Sequence, residues 1–518
     1  MGVNMRDETP VLIGVGQFTF RGPAENSPSP LELLKIAAKR AVADAGLEGT
    51  VLARLDALAV VAFSIDAPGG LSKLPLPRLS DPPASLARAL EARPDWSVYT
   101  ETGGNSPQQA INVLAERIAR GESRLGLVTG AEFLGSLMKR MKNGLGFDGW
   151  ADDIDSKPAR IGDPRPGVTK QEAAHGLGYP VNTYPLFENA LRARDGRSLA
   201  DHQARLGALF SPFTRVAAAD PEAWFPVERS AEELVTVTER NRMVGYPYPK
   251  YLNAIMEVDQ SAAVLVASVG MARELGVPQD RWVFLHGCAD AADLWYPLQR
   301  QDFHSSPAIR LTGRRALDMA GIALSDLDLI DLYSCFPSAV QVAAEELGLA
   351  LDDPRGLTVT GGLPYFGGPG NNYSLHAVAR LVERLRARPG AYGLSTANGW
   401  FLTKQSVGVY STRPVEGEWR REDPAVIQAE IDALPHPPIA EAPQGPATIE
   451  TYTVVHARQG PRMGIVIGRT AEGARFVANT PEDPATLADL EVREGVGRAG
   501  VVGPHPDGVR NLFTPDPA

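Results

Sequence analysis

Asp331-Leu-Tyr-Ser-Cys335-Phe-Pro-Ser338 sets a phenol and a thiol two residues apart, where an apolar strand (Leu329 to Tyr333) gives way to a helix starting at Ser338. A strand-to-helix junction presents a side chain instead of packing it into the middle of an element. Cys335 is placed there to serve as a nucleophile and Tyr333 as a general acid or base. The plain alternative for Cys335 is a buried, inert thiol, since free cysteine commonly behaves as a small hydrophobe. His376 stands in the first turn of another helical run, beside Asn371 and Asn372. An imidazole there can activate a thiol or hold an oxyanion; a capping or solvated histidine is the other reading. Asn398 and Gly399, ahead of Trp400, offer an amide to position a substrate carbonyl. Gly103-Gly104-Asn105-Ser106 leads a third helix, whose free N–H groups and dipole would suit an acyl oxyanion. A tight turn that packs a helix onto a sheet would look the same. The chain has 51 glycines, yet no phosphate-loop, dinucleotide or zinc spacing occurs.

The elements that carry these residues come in two copies. Thr102-Gly-Gly-Asn-Ser106 leads into the helical run Pro107 to Arg117, followed by the small-residue strand Gly126-Leu-Val-Thr-Gly130. Gly367-Gly-Pro-Gly-Asn-Asn-Tyr-Ser374 leads into Leu375 to Arg384, followed by Gly393-Leu-Ser-Thr-Ala-Asn-Gly399. The match extends upstream, where Asp44-Ala-Gly46 with Leu55-Asp-Ala-Leu58 mirrors Met319-Ala-Gly321 with Leu327-Asp-Leu-Ile330. Strand and helix patterns alternate in each copy, which is an α/β signature. Two related halves follow, not a solenoid. Within the first half, between its strands, Gly144 to Tyr179 is rich in Gly, Pro and Asp, and Thr183 to Ala208 is helical. This reads as an insertion or lid. Past Pro414 one short helix lies among prolines, and Thr448 to the end is strand-like, predicting a small all-β domain, barrel-like in type.

At 518 residues the chain exceeds one hydrophobic core. A net charge of −11 argues against a general nucleic-acid or anionic-membrane surface. Two cysteines, Cys288 and Cys335, rule out a disulfide framework and fit a reducing compartment. Met1 to Pro10 shows no signal-peptide pattern, and no apolar run nears the roughly 18 residues that cross a bilayer. A cytoplasmic protein without a membrane span is expected.

On these motifs the chain resembles the thiolase superfamily over about residues 8 to 412, and the type-1 thiolase-like branch with its extra C-terminal β-domain in particular. Asp259-Gln-Ser-Ala-Ala-Val264 has the family's spacing before the half-way strand. Aligning Gln109-Ala-Ile111 puts Gly104 where the family has its nucleophilic cysteine. Tyr333-Ser-Cys335-Phe336 matches the second motif. Gly367-Gly368-Pro369 matches Gly-His-Pro with the histidine lost, and Ala397-Asn398-Gly399 matches Cys-x-Gly with the cysteine lost. The resemblance implies a duplicated, layered α-β-α-β-α fold with an inserted loop domain and an OB-like C-terminal domain. Its divisions would be an N-terminal half at 1–270 with the insertion at about 135–250, a C-terminal half at 271–415, and a β-domain at 420–518. It implies a coenzyme A thioester as substrate, bound near the insertion, no permanently bound cofactor or metal, and a monomer or homodimer.

Three functions compete at this point. The first is an acyltransferase-class protein, acetyl-CoA acetyltransferase-like, with a non-standard site built from Cys335, Tyr333 and His376. Gly104, Asn105, Asn372, Asn398 and Gly399 would then be oxyanion or positioning groups. Conventional turnover is expected to be weak or absent, because a covalent nucleophile supplies several factors of ten in rate. The second is a thiolase-type aldolase or retro-aldolase acting on a β-hydroxyacyl-CoA, with Tyr333 and Tyr373 as acid and base. The third is acyl-CoA binding without catalysis.

Overall fold

The computed structural model describes residues 5–67 and 70–517. Its main sheet runs, edge to edge, through Leu327–Asp331, Tyr392–Gly399, Lys404–Ser411, Val283–Ala292, Pro10–Thr19, Asp259–Ser268, Leu125–Phe133, Ala57–Val60, Trp96–Thr100 and Ala159–Ile161. The first four strands come from the second half of the chain and the rest from the first. Only a short antiparallel contact joins the two sets, with Val11 opposite Phe284 and Leu12 opposite Val283.

Most of these strands are buried on both faces, which is why they read as unbroken apolar runs. Side-chain alternation splits them between layers. Along Asp259–Ser268, Ala263, Leu265 and Ala267 enter one core, with Leu33, Leu34 and Ala41 of the Pro30–Asp44 helix. Ala262, Val264 and Val266 enter the opposite one. That second core holds both repeated helices, Ser106–Ala119 through Leu114 and Ile118, and Tyr373–Ala387 through Leu375, Val378 and Leu381. The two glycine-led helices therefore form the middle layer, and their N-termini meet where the halves face each other.

Residues 134–258 form the segment between the strands Leu125–Phe133 and Asp259–Ser268, where the sequence predicts the insertion at about 135–250. Its helices Pro180–Arg194 and Leu199–Ala218 each contain a proline, Pro185 and Pro212. Their buried face joins a third core with the Pro337–Leu347 helix and with Ile465, Ile467 and Val477 of the C-terminal domain.

In that C-terminal domain, Gly445–Ala457 pairs with both Gly460–Thr470 and Ala499–Pro504. Arg475–Asn479 and Asn511–Pro515 complete a closed ring of five strands. Closure leaves no free edge within the ring. The strand-like pattern from Thr448 onward covers the last two strands of the ring without delimiting them, and it misses the Pro484–Val492 helix. The insertion adds a short strand outside the ring, with Gly245 opposite Val455. No helix among the described residues is long and apolar enough to cross a membrane.

Candidate functional site

The two repeated turns pack against each other across the halves. Gly103 N donates to Asn371 Oδ1 at 2.9 Å, and Asn371 Nδ2 donates to Ala62 O at 2.8 Å. Asn372 Nδ2 donates to Gly130 O at 2.8 Å, and Ser374 Oγ to Gly104 O at 2.9 Å. Asn371 and Asn372 are thus the fasteners of the first half's loops. The hairpin between Tyr392–Gly399 and Lys404–Ser411 closes the other side. A Cβ on Gly399 would lie 2.5 Å from Asn105 Oδ1 and 3.2 Å from Gly103 Cα, so only glycine permits this approach. Asn105 is buried and donates to Ser406 Oγ at 3.4 Å, while its Oδ1 has no partner.

Gly104 faces a phenol. A Cβ built on it would stand 2.1 Å from Tyr333 Oη and 2.6 Å from Asn398 O. The space a side chain would need at position 104 is already filled by the Tyr333 hydroxyl. Tyr333 comes from the residues just after Leu327–Asp331, and its backbone N–H is fixed by Thr396 Oγ1 at 2.9 Å. Burial pushes its pKa well above the ordinary phenol range, so it keeps its proton. Tyr373 packs edge-on to it, with ring centroids 5.4 Å apart, and shares a 2.6 Å hydrogen bond with Thr360.

Cys335 lies near this phenol but is not poised as a thiolate. Burial pushes its thiol up to about 12, with the Tyr184 hydroxyl acting in the other direction. Tyr184, from the insertion, donates to Trp400 O at 2.8 Å and accepts from Asn398 Nδ2 at 2.8 Å. Its ring stacks on Phe336 at 4.5 Å. His376 is turned elsewhere. Its Nδ1 meets Gln17 Oε1 at 2.9 Å, its ring packs on Phe366, and its Nε2 is unpartnered. Burial holds it down to about 3, so it is neutral at ordinary pH. The structure therefore gathers Gly104, Asn105, Tyr333, Cys335, Asn398 and Gly399, and places His376 on a separate contact with the first strand.

Three residues that the sequence reading did not single out frame the cluster. Tyr184 carried no signal, lying mid-helix in an insertion. Lys404 begins a polar strand, and its buried ammonium donates to Thr102 O. Arg300, fully buried, donates to Phe401 O at 3.1 Å, Leu402 O at 3.4 Å and Thr403 Oγ1 at 3.0 Å. It holds a turn in which Trp400 and Leu402 both adopt left-handed backbone, φ 56° and 58°. The cavity beside Tyr333 and Asn398 measures about 10 Å³, room for roughly one water. No group of His, Cys, Asp and Glu among the described residues forms a metal site.

Residues 426–508 match the family described as the thiolase-like protein type 1 additional C-terminal domain. The crystal structure of a monomeric SCP2-thiolase like protein type 1 from Mycobacterium smegmatis is 39% identical, with a TM-score of 0.83 over 98% of this chain and 99% of that one. An Ltp2-ChsH2(DUF35) aldolase structure shares the fold at 18% identity and a TM-score of 0.57, over 78% of this chain and 98% of its own. An acetyl-CoA acetyltransferase of Methanothermobacter thermautotrophicus is 26% identical over 249 residues, 45% of this chain and 63% of the relative. Matches to the first curated relatives span only 35% to 63% of their lengths.

Proposed function

The chain belongs to the thiolase-like protein type 1 family of the thiolase superfamily, and on that premise we propose that it handles coenzyme A thioesters without forming an acyl-enzyme. Its chemistry is acid–base chemistry at a carbon–carbon bond of a β-hydroxyacyl thioester, centred on Tyr333. One observation carries this reading: the Tyr333 hydroxyl fills the space that a side chain at position 104 would need. Acyl transfer requires a thiolate, and burial keeps Cys335 protonated. Cleavage of a β-hydroxyacyl thioester requires instead that the β-hydroxyl proton reach Cα as the bond breaks. A proton-bearing phenol beside the head of the Ser106–Ala119 helix suits that transfer.

A surface cleft of about 540 Å³ in the insertion, lined by Arg229, Arg240 and Tyr251 and also by Glu232 and Glu233, is the candidate place for the coenzyme. Arg229 is paired with Glu233 and lies 4.2 Å over the Tyr251 ring, which leaves Arg240 as the guanidinium suited to a phosphate. From Tyr251 the chain runs directly to Ala254, whose N–H donates to Cys335 O at 3.0 Å. The same short segment therefore touches both the cleft and the backbone of Cys335.

The test is release of an aldehyde or ketone from β-hydroxyacyl-CoA. Tyr333→Phe is expected to lower it at least about a hundredfold while leaving the acyl-CoA-induced rise in melting temperature. Unchanged release in that variant would sink the role of Tyr333. A second reading, binding without turnover, is favoured by the 10 Å³ cavity, into which no acyl thioester fits without side-chain movement. It predicts the rise in melting temperature with no carbonyl release from the wild type.

The chain is proposed to be a monomer. The Mycobacterium smegmatis relative is described as monomeric. Here Trp96–Thr100, which would otherwise end the sheet, is covered by the three-residue strand Ala159–Ile161 of the same chain. A short edge strand that carries Arg160 discourages pairing with another copy.

A further inference from the structure

Lys404 is a buried cation that forms no ion pair among the described residues, its ammonium lying 6.0 Å from the centroid of the Trp400 ring. Only 5% of it is exposed, and lysine is almost never that buried unless paired. The two acids nearest in charge, Glu101 and Asp163, are bonded to arginines instead: Glu101 to Arg160 at 3.3 Å and Asp163 to Arg165 at 2.7 Å. Of the three ammonium donors, one reaches Thr102 O; the other two have no protein acceptor among the described residues. The ammonium also stands at the head of the Ser106–Ala119 helix, where a Cβ on Gly103 would lie 2.9 Å from Nζ. The helix dipole is positive there, so the site adds to the cost of the cation and to the reward for an anion. Burial pulls the amine down to about 8, against the opposing pull of Asp163 and Glu101. Asn105 Oδ1 sits in the same spot, buried and unpartnered.

We propose that Lys404 is a catalytic residue, its ammonium binding the thioester oxygen and stabilising the negative charge that gathers there as an enolate. This rests on the reading of the site as one for coenzyme A thioesters. In the cleavage direction, the Cα–Cβ bond of the β-hydroxyacyl thioester breaks and its electron pair becomes the enolate, with the charge on the thioester oxygen. The β-hydroxyl oxygen becomes the carbonyl of the departing aldehyde or ketone. Its proton passes through the Tyr333 hydroxyl to Cα, which restores both the phenol and a neutral acyl-CoA. Lys404 keeps its proton throughout, and no oxidant or further reactant is needed.

Acetoacetyl-CoA, whose enolate has its own ultraviolet absorbance, tests this without turnover. Mixed with the full-length protein it should show an enolate band in excess of the free ligand at the same pH. Lys404→Met should reduce the excess at least about tenfold, with binding measured separately by calorimetry retained. Binding with an undiminished band in the variant overturns this inference alone. Failure of the wild type to bind acetoacetyl-CoA overturns the thioester reading with it. If Lys404→Met does not fold, the wild-type titration decides. Asp163 and Glu101 are the acids whose charge reaches the amine. They and the enolate hold it protonated, so the excess band should disappear only as pH rises above about 8. An excess that keeps growing with pH contradicts the role of the ammonium.

Discussion

The Tyr333 hydroxyl and the missing side chain of Gly104 are two aspects of one exchange. A cysteine restored at 104 would have its Cβ 2.1 Å from Oη and 2.6 Å from Asn398 O, closer than real Cβ contacts come. Gly104→Ala is therefore expected to destabilise the fold by about 2–3 kcal/mol, measured by denaturant unfolding. Adding Tyr333→Ala should recover about 1 kcal/mol, because it removes one of the two clashing partners. Additive costs in that pair would show that the two residues do not compete for the same space. Much of this was legible in the chain. The strand-to-helix junction marks Tyr333 and Cys335, and the family resemblance, aligned on Gln109-Ala-Ile111, marks Gly104. That Cys335 is held as a thiol by burial and that His376 is bound to Gln17 depend on long-range packing, which local sequence does not encode.

The turn from Trp400 to Thr403 is the element on which the cluster hangs, since Asn398 and Gly399 precede it and Lys404 follows it. Two bulky residues in left-handed backbone cost on the order of 1–3 kcal/mol each and persist only when their surroundings over-determine them. Arg300 supplies much of that determination from beneath. The C-terminal domain supports the same segment, through Arg475 bonded to Leu298 O at 3.0 Å, Gln301 O at 3.2 Å and Arg300 O. Arg300→Met removes the side-chain donor to the Phe401 and Leu402 carbonyls and the 3.6 Å ion pair to Asp293, which keeps its bond from Ser306 Oγ. A loss of about 3–5 kcal/mol is expected, seen as a lower melting temperature with faster amide exchange in residues 398–404. A variant as stable as the wild type would remove Arg300 from this account. The hairpin itself escaped the sequence reading because Lys404-Gln-Ser-Val-Gly-Val-Tyr-Ser411 mixes polar and small residues with few apolar ones. In the insertion, Pro185 and Pro212 interrupt helical patterns that tertiary burial nonetheless enforces.

At the scale of the molecule, duplication was visible because the same turn, helix and strand recur half a chain apart. The layering follows from it: two glycine-led helices between two sets of strands buried on both faces. What the pattern lacked was the joining of the parts. The insertion, the second half and the five-stranded ring share one apolar core, and pairings of that range leave no periodic trace in a single segment. With its sheet edge covered by Ala159–Ile161, the protein should sediment as a single 55.5 kDa species at micromolar concentration. A concentration-dependent dimer would instead indicate another self-complementary surface. The central claim, that thioesters are handled without a covalent acyl intermediate, is tested most directly by the intact mass of the full chain after incubation with acetyl-CoA. The account predicts an unmodified mass while the same ligand raises the melting temperature. A stoichiometric acyl adduct that disappears in Cys335→Ala would contradict it.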